Sequence, residues 1–403
     1  MCFLGPDLQP TPAPAEFPNA QIIEYIVAPG NDNTDDINGH GTHVSGSVLG
    51  YTNSGNAVQD NHGMAYMAQG VFTDIGQTGG GLSVPADLGS GLFQQPYTLG
   101  ARIHTNSWGS AEPTYTSNAM EVDEFMVDNP ELLVLVAAGN DGGLEGGVTM
   151  NLGSPATAKN CLAVGAAQTT NVAFQESAFY MDWAHRTELA EEMVGLMTGD
   201  CCDETNPAIL DFCCGTYAAD QYAQNSNRYN EENVAPFSSR GPTADGRIKP
   251  ELLAPGQYIV SARSNGAGGA HCGSGVAPTE STGNNGALLS MAGTSMATPV
   301  MAGNAALVRQ YFQEGFYPSG AANGADAMTP TAATVKAILI NSGVKLTGEI
   351  DLGNNGTWIT LDAIPSIFQG FGAVRLNQAL VRPCCVGVVG RGLWVYGLWV
   401  YGL

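Results

Sequence analysis

Short apolar runs punctuate this chain at residues 21–27, 101–105, 132–138, 161–166 and 258–262. Runs of that length with little polar alternation fit strands buried on both faces. Between them the spacing shifts to the helical period. Residues 117–128 carry Met120, Phe125 and Met126, and residues 334–341 carry Val335, Ile338 and Leu339. Strands alternating with helices predict an α/β fold, with a mostly parallel central sheet covered by helices on both faces. Ligands in such sheets sit at the carboxyl ends of the strands.

Two stretches break the alternation. Residues 171–233 are polar and cysteine-bearing, with good helix formers at 188–197, and read as an insertion. Residues 263–290 are Gly-rich and polar, and read as a long surface loop. Residues 1–19 form an irregular N-terminal segment, and 20–381 the main body. Residues 382–403 are a low-complexity apolar tail in which Gly392-Leu393-Trp394-Val395-Tyr396 is repeated as Gly397-Leu398-Trp399-Val400-Tyr401. Arg391 interrupts the apolar stretch, and the residues beyond it are too few to span a bilayer.

Charge narrows the partners. The 37 acids against 14 bases give −23, which excludes nucleic acid and disfavours an anionic membrane surface. An apolar fraction of 44% excludes intrinsic disorder. Six of the nine cysteines stand in adjacent pairs (Cys201-Cys202, Cys213-Cys214, Cys384-Cys385), a spacing unlike zinc motifs. Disulfides in an oxidising compartment are the expectation, and the sequon Asn355-Gly356-Thr357 agrees with secretion. Residues 1–6 carry no secretory signal.

Three short motifs could carry chemistry. Gly293-Thr294-Ser295-Met296-Ala297-Thr298-Pro299 puts a serine at the start of a helix-compatible run. Free N–H groups and the positive dipole end there would stabilise a developing anion, although a plain N-cap serine fits the same pattern. Pro299 falls early enough in the run that its missing N–H costs little. In Asn38-Gly39-His40-Gly41-Thr42-His43, flanking glycines give His40 room for a substrate or second side chain. A histidine at a helix start stays neutral, as a general base requires. A zinc pair from His40 and His43 lacks the H-E-x-x-H pattern. The run 132–138 ends in Ala138-Gly139-Asn140, where an amide N–H could meet an oxyanion or simply close a turn.

Taken together, in the order His40, Asn140, Ser295, these motifs resemble those of the subtilisin-like serine proteases. Ser107-Trp108-Gly109 is similar to the family's Ser-Leu-Gly strand, with Trp108 in place of Leu. Residues 237–242, 249–256 and 369–372 resemble other family segments, so the likeness runs over about 20–381. The resemblance implies a three-layer subtilisin-like fold and peptide-bond hydrolysis in protein or peptide substrates. Ser295 would be the nucleophile, His40 the general base, and Asn140 an oxyanion donor beside the N–H of Ser295. The backbone of Ser107, Trp108 and Gly109, with Ala138 and Gly139, would bind the substrate. No cofactor is required for the chemistry, and family likeness permits structural calcium.

One family feature is missing. The histidine's orienting acid normally stands in Asp-Thr-Gly or Asp-Ser-Gly upstream, and no such motif occurs here. The expectation is that the acid lies ahead of Met1. Asp7 is the alternative within the chain, because Asp32, Asp35 and Asp36 fall in the approach to His40. Loss of this acid costs on the order of 10⁴-fold in subtilisin itself. The sequence therefore leaves two readings, a secreted serine endopeptidase and an impaired subtilase-like protein that binds peptides without cutting them.

Overall fold

A computed structural model of the chain describes residues 21–32, 39–51, 62–77, 81–143, 150–170, 173, 229–264, 288–352 and 358–380. In chain order the strands are β1 (Ile22–Val27), β2 (Gly70–Asp74), β3 (Gly76–Gln77), β4 (Gly81–Leu82), β5 (Ile103–Asn106), β6 (Leu133–Ala137), β7 (Leu162–Ala167), β8 (Leu252–Pro255), β9 (Ile259–Ala262), β10 (Leu288–Met291), β11 (Gly343–Val344), β12 (Glu349–Asp351), β13 (Trp358–Thr360) and β14 (Ala373–Val374). The α-helices are α1 (His40–Leu49), α2 (Gln94–Thr98), α3 (Ser117–Asp128), α4 (Thr294–Gln313) and α5 (Ala332–Asn341).

Every residue of β6 and β7 is buried. Their sequences, LVLVA and LAVGAA, hold only aliphatic side chains and one glycine, which is what burial on both faces demands. Each fully buried Leu or Val adds about 1.5–3 kcal/mol relative to exposure. These strands lie at the heart of a six-stranded sheet in the order β11-β14-β8-β7-β6-β5. β5 to β8 run parallel, with Ile103 opposite Leu133, Leu135 opposite Leu162 and Val164 opposite Leu252. Helix α4 packs against β5 through β8, and α5 packs on α4 and β6. The predicted α/β architecture with a mainly parallel sheet is the one observed.

Two predicted members of that sheet stand elsewhere. β1 is parallel but, among the described residues, pairs with β2 alone, and Ile23, Tyr25 and Val27 are exposed. β9 forms an antiparallel hairpin with β10 instead. The cause lies in α1. The hydroxyl of Ser261 in β9 donates to His43 O (2.7 Å), which holds the hairpin against this helix instead of the sheet. The sheet position goes to β8, whose Leu252, Leu253 and Ala254 are fully buried. β10 also takes Leu288 to Ser290 out of the predicted loop.

Buried charge fixes the far side of the sheet. Glu251 Oε1 pairs with Lys249 Nζ and Lys336 Nζ, each at 2.8 Å. Its Oε2 accepts from Ala163 N in β7 (2.7 Å). Cys161, free and buried, lies 3.6 Å from Lys249 Nζ. Burial pushes its thiol pKa up, so it is an inert core residue. The other eight cysteines, the Asn355 sequon, the tail 382–403, and Asp7, Asp35 and Asp36 lie outside the described residues. So does most of the 171–233 insertion. The core resumes by Tyr229, which is fully buried against Tyr258. Among the described residues, no helix is long and apolar enough to cross a membrane.

β5 is the edge of the sheet as described, paired on one side only. Ser107, Trp108 and Gly109 continue from its carboxyl end, and Ala138 to Asn140 from that of β6. The N-terminus of α4 packs against both strands, and α1 packs on α4.

Candidate active site

α4 begins at Thr294, so Ser295 stands in its first turn, partly exposed. Its N–H is among the four that an α-helix leaves without an internal acceptor. One of these orphans is capped from outside the helix. Thr294 N donates to Asn140 Oδ1 (2.9 Å), and Thr294 Oγ1 donates to the same oxygen (3.0 Å). A backbone N–H can only donate, which fixes which end of the Asn140 amide faces the helix. The Nδ2 donor is the other end of that amide, beside Gly293. Thr294 Oγ1 in turn accepts from Gly139 N (3.2 Å). Helix and strand end are thus locked together at the predicted oxyanion donor.

The loop bearing Asn140 is held from its other side by Ser239. Ser239 N donates to Gly139 O (2.9 Å), and Ser239 Oγ accepts from Asp141 N (3.0 Å). Gly139 has φ +108°, and a Cβ there would meet Ser239 Oγ at 2.8 Å, so no other residue fits. Asn140 itself remains exposed, with Ala138 fully buried beneath it.

Ser107 and Ser295 exchange hydrogen bonds. Ser295 Oγ donates to Ser107 O (3.1 Å), while Ser107 Oγ donates to Ser295 O (2.8 Å). Among the described residues the serine hydroxyl is therefore bonded to Ser107, not His40. Resting geometry of this kind tightens or rotates when substrate binds, so it does not remove His40 as a base. Trp108 Nε1 donates to Asn106 Oδ1 (3.2 Å), and Asn106 Nδ2 donates to Leu135 O (3.1 Å), pinning the half-buried indole to β6. Gly109 is exposed beside Ser154.

His40 opens α1, which is the predicted setting for a neutral imidazole. The preceding Gly39 adopts φ +65°, and a Cβ there would lie 2.7 Å from Ser264 Cβ. One turn on, His43 is fully buried, with Nε2 2.9 Å from Ile259 O and 3.0 Å from Leu289 O. Two carbonyls can only accept, so Nε2 carries the proton. Burial lowers the pKa of His43 to about 4. It clamps α1 to the β9–β10 hairpin. Among the described residues, no group of three or more His, Cys, Asp or Glu could hold a metal ion.

The family model that matches the chain, described as the subtilase family, covers residues 5–372. The chain belongs to the subtilase family. Its curated relatives include two from Dictyostelium discoideum. Serine protease/ABC transporter B family protein tagD is 34% identical over 94% of this chain and 22% of that protein, and tagB is 34% identical over 94% and 20%. Serine protease AprX of Bacillus subtilis is 42% identical over 21% of the chain and 18% of its own length. The solved structure of the prenylagaramide maturation protease PagA aligns with a TM-score of 0.48 at 18% identity, over 90% of this chain and 92% of that one. The chain spans about a fifth of the length of the Dictyostelium relatives.

The subtilase motifs in the sequence named Ser295, His40 and Asn140 but not the residues that hold them. Thr294 and Ser239 stood inside recognised segments, and the signal for a role was only their adjacency to Ser295 and Arg240. Arg240, fully buried, donates through Nη2 to Pro236 O and Asp351 O (both 3.1 Å) and through Nη1 to Leu352 O (3.3 Å). It ties the Ser239 segment to β12. The sequence also placed Pro299 where its missing N–H would be harmless. It is in fact the sixth residue of α4, beyond the first turn.

Proposed function

We propose that this subtilase is a serine endopeptidase that hydrolyses peptide bonds through an acyl-enzyme on Ser295. The Ser295 hydroxyl turns from Ser107 O to the His40 imidazole, gives up its proton and attacks the carbonyl carbon. The oxyanion so formed is met by Asn140 Nδ2 and Ser295 N–H. His40 then protonates the departing amine, and water repeats the sequence to release the acid. The substrate lies extended along Ser107 to Gly109, the open side of the sheet edge, with Ala138 and Gly139 lining the pocket ahead of the scissile bond.

The observation that carries this reading is the cap on Thr294. It fixes Oδ1 as the accepting end of the amide. Nδ2 lies with the Ser295 amide at the helix start, since a Cβ built at Gly293 would meet Nδ2 at 3.5 Å and Ser295 N at 3.6 Å, two donors suited to developing negative charge. A protein that only held peptides would have no use for it. The acid that orients His40 is proposed to come from sequence ahead of Met1, with Asp7 the alternative inside the matched span. The Dictyostelium relatives are named serine protease/ABC transporter B family proteins, and the function proposed is confined to the protease part. The paired cysteines support an oxidising, extracellular setting.

A fluorophosphonate probe tests the proposal. The protein should be labelled at Ser295, and Ser295→Ala should not. An unlabelled parent would sink the reading. Asp7→Asn should leave labelling intact if the acid lies upstream.

A further inference from the structure

In an α-helix the N–H of residue 299 would donate to the carbonyl of residue 295. Pro299 has none, and its ring crowds that same carbonyl. The peptide oxygen of Ser295 is thus deprived of its helical donor at the residue whose side chain and N–H do the chemistry. The structure supplies a replacement from another element, since Ser107 Oγ donates to Ser295 O at 2.8 Å. Ser107 lies just past the end of the edge strand β5, 188 residues earlier in the chain. Ser295 Oγ returns a bond to Ser107 O.

We infer that the Ser107 hydroxyl is a positioning residue for the nucleophile, acting as the donor that Pro299 removes from the helix. This rests on the endopeptidase reading and deepens it. The peptide plane between Ser295 and Met296 is set by a side chain of the substrate-binding segment, not by the helix. A shift of that segment is therefore passed to the nucleophile through one hydrogen bond. The proline makes the coupling specific: with an N–H at 299, the helix would hold the carbonyl unaided.

The test is a double-mutant cycle in the full-length protein, reading kcat and KM on a peptide substrate and the rate of fluorophosphonate labelling. Ser107→Ala should lower kcat and the labelling rate by about tenfold, the scale of one lost hydrogen bond, and change KM by less than about twofold. In a Pro299→Ala background the same substitution should cost less than about twofold, because residue 299 now donates. An equal loss with and without Pro299, or no loss from Ser107→Ala, would overturn the inference. Should Pro299→Ala not fold, Ser107→Thr replaces it. Retaining the hydroxyl should restore most of the labelling rate, and equal rates for the Ala and Thr variants would overturn the idea. An unlabelled parent would remove the endopeptidase reading and this inference with it.

Discussion

Asn140 shows how much of a site can depend on one amide being the right way round. Its Oδ1 is taken by the N–H and hydroxyl of Thr294, so only Nδ2 is left to donate. Asn140→Ala removes that donor and should lower kcat by about 10²–10³-fold with little change in KM, the scale known for one oxyanion donor in subtilisin itself. Steady-state kinetics on a peptide substrate would check it, and an equal change in KM instead would place Asn140 in substrate binding. Thr294→Val, which keeps the N–H but removes the hydroxyl, should give a smaller loss. At this scale the sequence offered Ser295, His40 and Asn140 as candidates, because each sits in a short motif. Thr294 and Ser239 were not, because a hydroxyl that positions another side chain has no sequence pattern of its own. Its partner lies 154 residues away for Thr294 and 98 for Ser239.

At the scale of elements, α4, which carries Ser295, and α1, which carries His40, are set by different means. α4 lies across the sheet and is fixed by apolar burial, with Ala297, Met301, Ala305 and Val308 all but inaccessible. α1 is short, and two polar links tie it to the β9–β10 hairpin: the Ser261 hydroxyl on His43 O, and the His43 ring on Ile259 O and Leu289 O. His43 has its pKa depressed from 6.5 to about 4 by burial, so the fold favours the neutral ring. A depressed pKa contributes stability above the unfolded value, and that contribution fades as pH falls from 6.5 toward 4. The loss is on the order of 3 kcal/mol. His104, buried at Nδ1 and also lowered to about 4, acts in the same direction. Denaturant unfolding followed from pH 7 to 4 should show stability declining throughout that window, and a flat profile would refute it. Element types were readable where apolar runs are continuous, as in β6 and β7. Placement was not, because an apolar run does not state whether it joins a sheet or is pulled onto a helix by one serine and one histidine.

For the whole molecule the net charge of −23 becomes a statement about encounter. A strongly anionic protease draws cationic peptides toward it and repels acidic ones, and salt screens both effects. Between about 0.02 and 0.5 M salt, kcat/KM for a basic peptide should fall while that for an acidic peptide of matched length rises. Identical salt slopes would remove the idea. The overall class was plain from the alternation of runs, and the family from the motifs. The 171–233 insertion offered no periodicity from which to place it against the rest.

The open side of β5 has one more implication. On the proposed endopeptidase reading, an edge that takes a substrate by its extended backbone has little means of telling a foreign peptide from its own kind. Any copy of this protein that opens locally presents the same backbone to its neighbours. The working lifetime of a concentrated stock is then set by self-digestion, rising with the square of concentration. It should shorten in mildly acid solution, where the neutral His43 clamp weakens.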